Sequence, residues 1–160
     1  PDCPVGYALR PTGGRAVLHG HDLTVGLAFP LAHLGLAAGE KSIRRVYREA
    51  IRSLVAALCQ AGVDVRLAED LARDPSQGRS ADCFVQVSSN DIVLADTSQK
   101  VCGCALQLTE RAVLVQASIP VRKPLIDPSL VYRLPAPVVP IDLSESRLRT
   151  ALEEQIYACR

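Results

Sequence analysis

Apolar residues recur at intervals of three and four at Ile43, Val46, Tyr47, Ile51, Leu54, Val55 and Leu58. That is the spacing of one buried helical face. Ser42 stands where an N-cap belongs and Gly62 where a helix ends, so the pattern predicts a helix up to Gly62 in which Cys59 is a small core residue. Elsewhere the period shortens to two. Alternating runs predict strands at 5–9, 16–18, 23–29, 63–67, 84–87, 92–95, 100–108 and 112–121. Gly20-His21-Asp22 joins the second and third of these as a hairpin; 96–99 and 109–111 are turns. Residues 30–41 read as a loop, and 69–82, with Pro75 and Gly78, as an exposed mobile one. Five prolines between Pro124 and Pro140 predict an extended connection. Ser144 can cap a last helix over 145–158, with Leu148, Leu152, Ile156 and Tyr157 on one face. The elements together predict an α+β fold with a largely antiparallel sheet.

Composition narrows the function. A chain of 160 residues, 48% hydrophobic and 22% charged, has material for one domain with a core. A net charge of +1 and 4% aromatic residues leave neither the field nor the stacking surface for nucleic acid. No apolar run reaches membrane-spanning length and no signal peptide opens the chain, so no membrane partner and a cytoplasmic setting are expected. The six cysteines, at 3, 59, 83, 102, 104 and 159, are expected to be free thiols. Cys102-Gly103-Cys104 is a lone C-x-C without a histidine at ligand spacing, so no metal site is expected.

The run RPTGGRAVLHGHDLTVGL, residues 10–27, carries the most chemical information. Pro11 fixes φ, and Gly13 and Gly14 tolerate positive φ, so the chain can turn sharply and bring bare N–H groups against a ligand. The turn is expected to gather Arg10, Arg15 and His19 at one rim, suited to an anion or a polarised carbonyl.

This run resembles the RRxxGGxxVxH…LT signature of the lipoate-protein ligase and octanoyltransferase superfamily, which includes the biotin protein ligases. Arg10, Gly13, Gly14, Val17, His19, Leu23 and Thr24 match it; Leu9 replaces the first arginine, and Val25 and Gly26 replace the tyrosine and serine that often follow. Downstream, DIVLADTSQKVCGCAL resembles the family's D-[LI]-V-x…K-[VI]-x-G-x-A, aligning Asp91, Lys100, Gly103 and Ala105. The resemblance implies a biotin/lipoate ligase, class II synthetase-like catalytic domain. It implies that Lys100 reaches the acyl carbonyl, where a lysine opening a strand would otherwise be a solvated charge. Arg10, Gly13, Gly14, Arg15, Val17, His19, Thr24, Asp91, Gly103 and Ser118 become the expected substrate-binding set. Family members carry a sizeable segment before the first motif, so 1–160 is expected to be a single catalytic domain lacking its N-terminal elements. The histidine of their His-Gly-Ser run is missing: Gln116-Ala117-Ser118 keeps only the serine.

Cys83-Phe84, a little upstream of Lys100, is similar to the nucleophile of the cysteine-dependent, lipoate-ligase-like octanoyltransferases. On that reading Cys83 attacks the thioester of octanoyl-acyl carrier protein, and the lysine of a lipoyl domain, such as glycine cleavage H protein or a dehydrogenase E2 subunit, takes the acyl group. Lys100 steadies thiolate and oxyanion. Neither cofactor nor metal is required. The alternatives are an ATP-dependent lipoate-protein ligase acting through lipoyl-AMP, with ATP and Mg, and a non-catalytic acyl- or protein-binding relative.

Overall fold

A computed structural model describes residues 5–69, 71 and 80–158. The long strands are β1 (Asp22–Pro30), β4 (Lys100–Leu108) and β5 (Ala112–Pro120); β2 (Val65–Leu67) and β3 (Ile92–Leu94) are short, and the helices are α1 (Ile43–Gln60) and α2 (Glu145–Ala158). They form one five-stranded sheet, in the order β1-β5-β4-β3-β2, with every pair antiparallel. The α+β class and the antiparallel sheet follow the sequence expectation.

Alternation on β5 divides the sheet into two faces. Val113, Val115, Ala117 and Ile119 are buried and join the core formed with α1 and α2. Gln116 and Ser118 point to the other face, because successive side chains on a strand alternate. The register pairs Gln116 with Ala105, and Ser118 with both Gly103 and Thr24, so these positions form rows across β4, β5 and β1 on the helix-free face. That face carries the candidate chemistry.

Helix α1 starts as predicted, with Ser42 Oγ accepting from the Arg45 N–H at 3.3 Å. It buries Val46, Ala50, Ile51, Leu54, Ala57 and Leu58. Gly62, at φ 98°, lets the chain reverse so that the Val63 N–H reaches the Leu58 carbonyl at 3.0 Å. Leu54 is fully buried beneath the sheet. Leu54→Ala is expected to lower stability by about 2–5 kcal/mol, seen as a lower urea midpoint at unchanged m-value.

Several expectations change. Residues 5–9 form no strand, and 16–18 do not pair with β1: Ala16 makes an isolated bridge to Asp82. The Ala16 N–H donates to the Ala81 carbonyl and the Cys83 N–H to the Ala16 carbonyl, so this segment spends its hydrogen bonds on the cysteine loop. Nor is 84–87 a strand, since the Phe84 N–H is taken by the Asp82 side chain rather than by a neighbouring strand. Cys59 is exposed, not core, its Sγ directed to the Val65 carbonyl at 3.5 Å. Ile43 and Tyr157, assigned to buried faces, are 47% and 61% exposed. The Ser144 hydroxyl pairs with that of Ser146. Within the 30–41 loop a 3-10 turn, Leu31–Leu34, buries Leu31. Most of the 69–82 loop, with Pro75 and Gly78, and Cys3 and Cys159 lie outside the described residues. No described helix is long and apolar enough to cross a membrane.

Candidate active site

Asp82, immediately before Cys83, is 4% exposed and accepts two backbone N–H groups: Phe84 at 2.9 Å and, across 54 residues, Ala136 at 2.8 Å. The carboxylate thereby fastens the thiol loop to the proline-rich connection, and the 3.0 Å bond from Cys83 N–H to Ala16 fastens it to the outgoing arm of the glycine signature. Beneath the thiol lies Gly103. A Cβ there would sit 3.2 Å from Cys83 Sγ, 3.6 Å from Lys100 Cε and 3.7 Å from Phe84 Cζ, so any larger residue displaces the sulfur.

The Lys100 side chain is 5% exposed, not solvated. Its Nζ donates to the carbonyls of Cys83 at 2.8 Å and Gln86 at 3.2 Å, and pairs with Asp91 Oδ2 at 2.9 Å. Cys83 Sγ is 3.7 Å away and the Phe84 ring centre 5.4 Å. An ammonium has three protons. Three oxygens take them, so Lys100 acts on the sulfur through its charge while its hydrogen bonds hold the loop that carries the sulfur. Asp91 also accepts from the Ser88 N–H at 2.7 Å and Ser88 Oγ at 3.0 Å, which fixes the carboxylate before Lys100 reaches it.

Two cavities flank this ion pair. One, of about 510 Å³, is lined by Arg15, Cys83, Gln86, Asp91, Lys100 and Cys104 among others. The other, of about 300 Å³, shares Lys100 and Val87 with the first but is mostly apolar, walled by Phe84, Val85, Pro120, Ala136 and Val139. A chamber lined largely by polar side chains therefore adjoins both the thiol and the ammonium, and an apolar cleft adjoins the same ammonium.

The signature loop turns as expected, with Gly13 and Gly14 at φ 63° and 87°. Thr12 Oγ1 donates to Gln116 Oε1 at 2.8 Å, and a Cβ on Gly14 would lie 3.8 Å from that of Ala105, so the loop sits on the row next to Gly103 and Ser118. The three basic residues do not share one rim. Arg15 lines the larger cavity and donates to Gln86 Oε1, whereas the Arg10 guanidinium turns inward to the Arg15 carbonyl at 2.8 Å. Val17 is half-buried.

His19 belongs to a second cluster, gathered on Asp22. The Asp22 side chain is 2% exposed and accepts from Ser118 Oγ at 2.6 Å, His19 Nδ1 at 2.8 Å, Gly20 N–H at 3.2 Å and Thr24 Oγ1 at 3.4 Å. Burial alone would raise its pKa. The hydrogen bonds from Ser118 and His19, the His19 charge and the Gly20 N–H outweigh that, and the carboxyl titrates below its ordinary value. His21 beside it is 3% exposed, and burial pushes its pKa down. Asp22 and Asp82, the two organising carboxylates, are absent from the residues singled out in the sequence. Tyr47, read in the sequence only as part of the apolar face of the helix, has a polar contact as well: its OH donates to the Cys104 carbonyl at 3.2 Å, and burial raises its pKa. Cys104 in turn lies 3.7 Å, sulfur to sulfur, from the buried Cys102.

Residues 4–133 match the lipoyl protein ligase A/B catalytic domain. The chain belongs to that family. Among curated relatives it is 30% identical to octanoyltransferase LipM of Kyrpidia tusciae over 162 residues, which is 97% of this chain and 54% of the relative. It is 36% identical to octanoyltransferase LipM of Oceanobacillus iheyensis over 113 residues, 69% of this chain and 38% of the relative. The chain thus spans about half, or less, of the length of these relatives. Among solved structures it is similar to a lipoate-protein ligase A bound with ATP, at TM-score 0.55 and 18% identity, covering 87% of this chain and 52% of that one. A bi-partite lipoate protein ligase from Thermoplasma acidophilum, studied with its E2 lipoyl domain, superposes at TM-score 0.53 and 16% identity, covering 87% and 51%. At such identities the structures establish the fold alone, and they agree with the lipoate-ligase domain implied by the two sequence motifs.

Proposed function

We propose that this chain carries the acyl-transfer site of an octanoyltransferase of protein lipoylation, working through a thioester on Cys83. The observation that carries this reading is the thiol itself: Sγ lies 3.7 Å from a buried ammonium, at a cavity wall. An adenylating ligase makes its acyl carbonyl electrophilic with ATP and has no need of a nucleophilic thiol. The names of the relatives, octanoyltransferase LipM, support the same choice.

In this mechanism octanoyl-acyl carrier protein presents its thioester to Cys83, with the alkyl chain in the apolar cleft of Phe84, Val85 and Val139. The thiolate attacks the carbonyl carbon, Lys100 balances the negative charge on sulfur and then on oxygen, and the carrier thiol leaves. The lysine of a lipoyl domain next attacks the octanoyl-Cys83 thioester. Thioester to amide is downhill, so neither ATP nor metal is required.

The test is intact mass of the protein after incubation with octanoyl-acyl carrier protein without ATP, followed by addition of an apo lipoyl domain. A hydroxylamine-sensitive octanoyl adduct that passes to the acceptor is the expected result. Acceptor modification only with free lipoate and ATP overturns it in favour of a ligase, and no modification under either condition leaves an acyl- or protein-binding role.

A further inference from the structure

We propose that His19, oriented by Asp22, is the general base that takes a proton from the acceptor lysine during the second half of the reaction; the inference rests on the thioester reading of Cys83.

The geometry fixes the tautomer. Asp22 is buried and ionised, so its carboxylate only accepts hydrogen bonds. The 2.8 Å contact therefore places a proton on His19 Nδ1, so that in the neutral imidazole the lone pair is on Nε2. Ser118 Oγ donates to the same carboxylate oxygen at 2.6 Å, holding it from the sheet side. The imidazole is 55% exposed, so an incoming protein substrate can reach the ring, while Nδ1 is taken by the carboxylate. This is the base-and-orienting-carboxylate half of a hydrolase triad without a serine on Nε2.

Placement ties the dyad to the nucleophile. Ser118 pairs directly with Gly103, the residue beneath Cys83 Sγ, so the dyad and the thiol stand on adjacent positions of one sheet face. Lys100 Nζ is already engaged by the Cys83 and Gln86 carbonyls and by Asp91, so the acceptor's proton needs another taker. The acceptor lysine arrives protonated at neutral pH and must lose a proton to attack. Of its three protons one stays on the amide, one passes to His19 Nε2 and on to solvent, and one goes to the departing sulfur. The C–N bond forms, the C–S bond to Cys83 breaks, and Asp22 stabilises the transient imidazolium.

The experiment is single-turnover transfer from pre-formed octanoyl-Cys83 protein, isolated as wild type, His19→Ala and Asp22→Asn. Transfer to an apo lipoyl domain is expected to slow about 100-fold or more in His19→Ala, and to recover severalfold with added imidazole. Asp22→Asn is expected to slow transfer too, by freeing the wrong tautomer. Hydroxylamine is neutral at pH 7 and requires no base, so it should discharge all three adducts at similar rates. Wild-type transfer in His19→Ala overturns the inference, as does a loss that imidazole does not restore and that extends to hydroxylamine. Failure of the wild-type protein to form the adduct at all is a separate result, which removes the thioester reading itself.

Discussion

Cys83→Ala is expected to abolish the octanoyl adduct and to lower acceptor octanoylation by about 10⁴-fold or more, because covalent catalysis has no substitute path when its nucleophile is deleted. The fold should survive. Cys83 is half-buried, its loop is held through the Cys83 backbone and the Asp82 carboxylate, and only the sulfur is lost. A thermal unfolding midpoint close to wild type is therefore part of the expected result. Cys83→Ser sharpens the test. The hydroxyl fills the same place above Gly103, but an ammonium at 3.7 Å stabilises an anion without removing a proton, and an alcohol loses its proton far less readily than a thiol. The serine variant should stay within an order of magnitude of the alanine one. A Cys83→Ala protein that still modifies a lipoyl domain, given lipoate and ATP, would show that the thiol is not the acyl carrier.

The periodic elements were legible because each has one environment per face. Helix α1 buries Val46, Ala50, Ile51, Leu54, Ala57 and Leu58, and β5 turns Val113, Val115, Ala117 and Ile119 into the core, so period alone locates them. Cys59 shows the limit of that reasoning: one position past Leu58 is about 100° round the helix, enough to move it from core to solvent. The misread strand at 84–87 has a local cause. Phe84-Val85-Gln86-Val87 alternates like a strand, yet the Phe84 N–H is bound by the side chain of Asp82. An Asx contact of this kind competes with a sheet ladder and leaves no mark on hydrophobic periodicity.

The candidate site divides in the same way. Gly13, Gly14, Asp91, Lys100 and Gly103 were found because two motifs place them at fixed spacings, and Cys83 through the Cys-Phe pair upstream of the lysine; the structure brings Cys83, Asp91, Lys100 and Gly103 together. Asp22 and Asp82 were missed because each acts over a distance the sequence does not display: Asp22 on Ser118, 96 residues away, and Asp82 on Ala136, 54 residues away. A signal did exist in both cases. Asp82 stands directly before the cysteine, and Asp22 closes the turn after His19, the positions from which a short carboxylate reaches nearby N–H groups.

Lys100→Gln is expected to cost both activity and stability, and the two losses separate by double mutation. Asp91 is 3% exposed, and without the ammonium its charge is left with the Ser88 contacts alone. Breaking one partner of a buried pair costs about 3–5 kcal/mol, so the urea midpoint should fall sharply. Adding Asp91→Asn removes the stranded charge, and a Gln–Asn amide pair can close the same gap, so the double variant should regain most of that stability. Activity should not follow. With no positive charge 3.7 Å from Cys83 Sγ, neither thiolate nor oxyanion is balanced, and adduct formation should stay about 10²–10³-fold below wild type in both variants. Recovery of the adduct rate in the double variant would mean that Lys100 only shapes the loop through the Cys83 and Gln86 carbonyls. Its absence, alongside recovered folding, would assign the charge itself to the chemistry, since hydrogen bonding and charge are the two things an ammonium supplies and the glutamine replaces only the first.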